Sequence, residues 1–177
     1  VMIVWNTLFL DDAPYQDNPD KSSEWNRGGY IVQALAHCST CHTPRDFMMA
    51  EKKNQFLGGG QVGAWYAPNI TPSKNSGIGN WTQEEIITYL KTGHIVGKAQ
   101  AAGPMAEAVE DSFQYVSDED LIAITTYIQN IDAIDNPLQK APRDSYGKAY
   151  DVDIDLRGEH LVTANNTLND GVSLYSA

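Results

Sequence analysis

Cys38-Ser39-Thr40-Cys41-His42 is the stretch whose reading decides how this chain folds. Two cysteines separated by two residues, with a histidine directly after the second, form the C-x-x-C-H pattern by which a c-type heme is attached. In that chemistry each thiol adds across a porphyrin vinyl group to give a thioether, and the histidine lies under the iron. The histidine must follow Cys41 at once, because a single turn of chain has to carry its ring onto the iron axis. These are the only two cysteines among the 177 residues, so none remains for another role. The candidate cofactor is therefore one covalent heme c on Cys38 and Cys41, with His42 as an iron ligand.

Outward from the motif, the pattern is all-α with long irregular connections. Helical signals begin near Ser23, and Ile31, Val32 and Leu35 recur at helical spacing up to the motif. Gly28-Gly29 lie within that helix, where glycine costs stability unless it admits a close helix–helix crossing. Residues 43–80 are rich in Gly, Pro and Asn and read as largely irregular. Thr82 to Glu85 is a T-x-x-E capping box, opening a helix with Ile86, Ile87, Tyr89 and Leu90 that stops at Gly93. Residues 95–114 read as loop, with Gly103-Pro104-Met105 inside it. Ser117 caps a last helix whose first turn holds Asp118, Glu119 and Asp120, with Leu121, Ile124, Ile128 and Ile131 on one stripe and Tyr127 beside it. The predicted organisation is a leading arm or linker over 1–23, a domain over 24–132, and a polar extension or linker over 133–177.

Apolar residues make up 42% and charged residues 20%, the balance of a globular protein. The net charge of -11 repels nucleic acid phosphates and anionic membranes, and suits a partner with a basic docking patch. No run of 18 apolar residues offers a transmembrane segment. The chain begins at Val1 with no visible leader, which reads as processed material or a piece of something longer. Thioether attachment of heme occurs outside the cytoplasm, so a periplasmic location is expected.

Met105 is the candidate sixth ligand, since its thioether is a soft, neutral donor that favours ferrous iron. Met48 and Met49 follow His42 too closely to reach the opposite face. His94, after Gly93, is the competing ligand, while His37 and His160 read as surface histidines. Trp81, Asn69, Thr71 and Arg45 are candidate donors to the heme propionates, because buried carboxylates need hydrogen bonds. Trp65 and Tyr66 read equally as core or as heme contacts, and Gly58-Gly59-Gly60 either let backbone approach the heme edge or form a flexible loop. One backbone carbonyl should accept the His42 Nδ1–H and fix the ring.

The order of N-terminal helix, C-x-x-C-H, loops, Trp-led helix, methionine loop and C-terminal amphipathic helix resembles a class I cytochrome c over about residues 24–132. Trp25-Asn26-Arg27-Gly28-Gly29-Tyr30-Ile31-Val32, Cys41-His42-Thr43-Pro44-Arg45, Ala67-Pro68-Asn69-Ile70-Thr71, Gly77-Ile78-Gly79-Asn80-Trp81 and Gly103-Pro104-Met105-Ala106-Glu107 resemble more narrowly a heme domain of the multi-heme cytochrome c subunit of bacterial membrane-associated dehydrogenases. Such subunits carry three C-x-x-C-H domains. They pass electrons from a catalytic subunit acting on alcohols, aldehydes, sugar acids or N-heterocycles to quinone or a terminal oxidase. Trp5-Asn6-Thr7-Leu8-Phe9-Leu10 is similar to the linker between the first and second domains, and Asp170-Gly171-Val172-Ser173-Leu174-Tyr175 to the start of a further one. The resemblance thus implies a second, middle domain, an electron carrier rather than an enzyme, working with a dehydrogenase catalytic subunit and neighbouring heme domains or another redox protein. One motif stands here instead of three, so a monoheme relative stays open. A heme protein with an open sixth site, acting as gas sensor or peroxidase-like enzyme, requires Met105 not to ligate. A dithiol or zinc site requires either a βαβ setting or two further ligands.

Overall fold

A computed structural model describes residues 2–10, 13–139 and 141–142, all within one compact unit, Val1–Gly147. The elements follow from local chemistry. α1 (Met2–Phe9) is apolar but for Asn6 and Thr7. α2 (Ser23–Tyr30) starts where Ser22 Oγ accepts the Trp25 amide, at 3.1 Å. It runs straight into a π-helical segment, Ile31–Leu35, closed by the Ala36 N–H bonding to the Ile31 carbonyl at 2.8 Å. α3 (Ser39–His42) is one turn. α4 (Gln83–Thr92) carries the expected capping box, with the Glu85 amide 3.2 Å from Thr82 Oγ1 and the Thr82 amide 2.8 Å from Glu85 Oε2, and it ends at left-handed Gly93. α5 (Pro104–Asp111) and α6 (Asp118–Gln129) complete the helices, and Ser117 Oγ caps α6 at 3.2 Å.

Two antiparallel hairpins interrupt the loops: β1 (Gly60–Val62) with β2 (Trp65–Ala67), and β3 (His94–Ile95) with β4 (Ala99–Gln100). At two or three residues a strand they leave the fold helical, as the sequence predicts. Residues 43–80 are otherwise irregular, as the composition suggests. The expected loop over 95–114 contains α5. Pro104 there is not a breaker but the first helical residue, a position where its missing N–H costs nothing.

The core is formed by Ile31, Val32, Leu57, Ile78, Ile86, Leu90, Leu121, Ile124, Tyr127 and Ile128, so the predicted α6 stripe faces inward. Its centre is the crossing of α2 on α6. A Cβ on Gly28 would lie 1.9 Å from the Ala123 carbonyl oxygen, and one on Gly29 would lie 2.2 Å from Tyr15 Oη and 2.9 Å from Tyr127 Cε2. Only glycine permits that approach. Gln33 Nε2 donates to Tyr127 Oη at 2.7 Å, and burial pushes that phenol up to about 12. Arg27 closes the rim with a two-pronged pair to Asp120, at 2.8 and 2.9 Å. α1 touches the body where Trp5 Nε1 donates to the Met48 carbonyl at 2.9 Å.

Two outcomes are expected. Gly28→Ala should destabilise the matured protein by about 2 kcal/mol or more, because a methyl has no room at the crossing. An unchanged Tm would mean that the helices part freely. The hydrogen bond from Arg27 holds the Asp120 carboxyl below its ordinary value of 3.8. A depressed folded value means that the unfolded chain takes up protons first. The pair therefore contributes fully above that ordinary value, and its contribution is lost as pH falls through the depressed one. Asp120→Asn should lower Tm modestly at neutral pH, where the pair contributes fully, and leave it little altered at low pH, so that the acid limb flattens.

Candidate heme site

The π-helical segment delivers the motif. After it the chain turns through His37, which sits in the left-handed region at φ 38°, and the Cys38 amide bonds back to the Val32 carbonyl at 2.9 Å. α3 then places Cys38, Cys41 and His42 at i, i+3 and i+4, one side of a single turn. Both cysteines are free thiols. Burial pushes Cys38 up to about 11, the reverse of the lowered value that makes a dithiol reactive. Among the described residues no group of three His, Cys, Asp or Glu side chains could hold a metal ion, so a zinc site finds no further ligands there.

His42 is held from two sides. Its Nδ1–H donates to the Pro68 carbonyl at 2.7 Å, and its own carbonyl accepts the Gly59 amide at 2.7 Å. A carbonyl can only accept, so in the neutral ring the proton lies on Nδ1 and the lone pair on Nε2. Pro68 is thus the carbonyl that the sequence required but could not single out. Gly58-Gly59-Gly60 serve close approach: a Cβ on Gly60 would lie 2.6 Å from the Cys41 carbonyl oxygen, and one on Gly59 would meet Tyr66 Oη at 2.5 Å. Of the three, Gly60 lies on the backbone of the motif, and Gly59 reaches it through its amide.

Met105 occupies the first turn of α5, not a loop, and packs half-buried against the core. Gly103 precedes it at φ 53°, and a Cβ there would lie 2.5 Å from the Trp65 ring, so Trp65 packs on the backbone that presents Met105. Met48 and Met49 are exposed, as are His37 and His94, the latter on β3. His160 lies outside the described residues.

The four candidate propionate donors have separate settings. Asn69 and Thr71 are buried: Asn69 Oδ1 accepts both the Thr71 amide at 2.8 Å and the Thr71 hydroxyl at 2.7 Å. Asn69 Nδ2 donates to the Ile134 carbonyl at 2.6 Å. Arg45 donates to the Met49 carbonyl at 2.8 Å and the Thr40 carbonyl at 3.3 Å, with Glu51 3.7 Å away. Trp81 is half-buried at the head of α4, edge-on to Tyr89 at 5.6 Å. Two free thiols on one turn, with a histidine whose Nδ1–H is held by a carbonyl, form a donor set that fits a covalent heme.

Comparison with known proteins agrees. The chain is 47% identical over 124 residues to the fructose dehydrogenase cytochrome subunit of Gluconobacter japonicus, covering 70% of this chain and 25% of that protein. It is 35% identical over 139 residues to the cytochrome c subunit of the quinone alcohol dehydrogenase of Gluconobacter oxydans (strain 621H), covering 74% and 29%. Against the gluconate 2-dehydrogenase cytochrome c subunit of Pantoea cypripedii it is 32% identical over 143 residues, covering 76% and 32%. The chain thus spans about a third or less of the length of each of these relatives. With the helical frame, the C-x-x-C-H turn and the oriented histidine in place, and with the cytochrome c family model matching residues 27–132, the chain belongs to the cytochrome c family.

Proposed function

We propose that this chain is an electron-transfer domain carrying one covalent heme c. In this reading Cys38 and Cys41 would hold the heme through thioethers, and His42 and Met105 would ligate its iron. Its electrons come from the catalytic subunit of a periplasmic dehydrogenase and go on toward the respiratory chain. The observation that carries the reading is the 2.7 Å bond from His42 Nδ1–H to the Pro68 carbonyl, which supports Nε2 as the nitrogen that would ligate iron. When bound, the heme supplies a one-electron Fe(III)/Fe(II) couple. The chain's residues set where that couple lies. Electron density donated by the Pro68 carbonyl makes His42 more basic, which favours the ferric state. The Met105 thioether pulls the other way and raises the potential. Val32, Leu57 and Ile78 belong to the apolar core on which Cys38 and Met105 pack, which keeps water from the ligands.

With His42 and Met105 both ligating, the iron would offer no place for a substrate, so the domain would act as a carrier and leave catalysis to a partner. The relatives support that division, since they are named as cytochrome subunits of dehydrogenases. The partners that follow are a dehydrogenase catalytic subunit and further heme domains or another redox protein. No helix among the described residues is long and apolar enough to cross a membrane. For the propionates, Trp81 offers its indole N–H and Arg45 its guanidinium, while Asn69 and Thr71 line the same Pro68-led segment.

Met105→Ala tests the ligand assignment. The ferric variant should lose the weak far-red band of methionine ligation. The reduced variant should bind carbon monoxide rapidly, and the potential should fall by about 0.2 V, well within the span that axial ligands command. Fast carbon monoxide binding by the unsubstituted reduced protein would contradict the carrier reading and point to an open sixth site.

A further inference from the structure

The segment after α6 is hydrogen-bonded along the loop that begins at Pro68. Ile134 gives both backbone groups to it: its carbonyl accepts from Asn69 Nδ2 at 2.6 Å, and its amide donates to Thr71 Oγ1 at 3.1 Å. Further along, Ser73 Oγ donates to the Asp135 carboxylate, the Asn136 amide donates to Ser76 Oγ at 2.8 Å, and Asn75 exchanges two bonds with Gln139, at 2.6 and 2.7 Å. Asn69, Thr71, Ser73 and Ser76 are all buried, so each depends on a protein partner.

The strap reaches both loops that hold His42. Asn69 follows Pro68, whose carbonyl takes the His42 ring proton. The Ile134 side chain lies on Gly58, where a Cβ would meet its Cγ2 at 3.3 Å, and Gly58 precedes the Gly59 amide that binds the His42 carbonyl. The two loops are themselves joined by the bond from the Ile70 amide to the Leu57 carbonyl, at 3.0 Å. Freed from the strap, the Pro68 carbonyl would keep its chemistry but lose its fixed position.

We infer that Ile134, held by Asn69 and Thr71, is a positioning residue: it fixes the Pro68 carbonyl against His42 and so sets the basicity of that ligand. The inference rests on His42 being an axial ligand. It gives Thr71 a role distinct from binding a propionate, because the Thr71 hydroxyl acts on the histidine through Ile134 and Pro68.

The experiment uses the full, heme-loaded chain with Thr71→Val, Thr71→Ser and Ile134→Ala. Its readouts are the midpoint potential and, in the reduced protein, solvent exchange of the His42 Nδ1 proton by NMR, referenced to the Ile124 amide as a monitor of global opening. Thr71→Val should speed the ring-proton exchange about tenfold relative to Ile124, the effect of one lost hydrogen bond. It should also raise the potential, as a less basic histidine stabilises ferric iron less. Thr71→Ser, which keeps the hydroxyl, should behave as the unsubstituted protein. Ile134→Ala keeps both backbone bonds but removes the side chain from Gly58, so it should shift both readouts in the Thr71→Val direction by less, and it carries the test if Thr71→Val fails to mature. Unchanged exchange overturns the inference, whether Tm falls alone (a structural role) or the potential moves alone (a direct heme contact). His42 ring resonances unlike those of iron-bound imidazole in the unsubstituted protein would overturn the ligand reading itself, a result distinct from either.

Discussion

One hydrogen bond, from His42 Nδ1–H to the Pro68 carbonyl, decides what the motif can do. Without it the imidazole could present either nitrogen, in either tautomer and several orientations. With it the proton is placed, the lone pair is on Nε2, and the ring has one direction. The rest of the irregular region serves this arrangement. The β1–β2 hairpin leads into Pro68, and the glycines at 59 and 60 bring a second loop against the motif backbone. On the proposed reading the potential is then a balance between a histidine made basic by a carbonyl and a methionine whose sulfur favours the reduced iron.

That arrangement needs a rigid frame, and the frame is the crossing of α2 on α6. The glycines there trade helix propensity for contact, since the backbone of one helix lies against the other with nothing between. The crossing fixes Ile31 and Val32 in the core, and the π-helical segment that begins with them reorients the chain into Cys38. One extra residue per turn is a costly geometry, retained where a chain must be redirected at a site. Arg27 and Asp120 clamp the rim of the same crossing.

Much of this was legible in the residues. The capping box at Thr82, the cap at Ser117, the stop at Gly93 and the inward stripe of α6 are local signals, and each appears where the sequence puts it. Gly28-Gly29 announced a close crossing by being costly anywhere else. What escaped was non-local or ambiguous. Gly103-Pro104-Met105 reads as loop, yet Pro104 is the first residue of a helix. Nothing in Pro68 distinguishes its carbonyl from dozens of others, because the choice is made by how two distant loops meet. The bonds from residues 134–139 to the Asn69–Ser76 loop had no sequence signature either, since single polar side chains meeting backbone groups leave no periodicity. α1 and the π-helical segment were likewise hidden, the first in a short apolar run and the second in a spacing that mimics an α-helix.

The most direct test of a single covalent heme c on Cys38 and Cys41 is a pyridine hemochrome assay on protein matured in a heme-attaching compartment, with the extracted chain weighed by mass spectrometry. The account predicts a c-type hemochrome, one heme per chain, and a mass increase of one heme that survives denaturation and acid–acetone extraction. A heme lost on extraction, or a chain of unmodified mass, would contradict it.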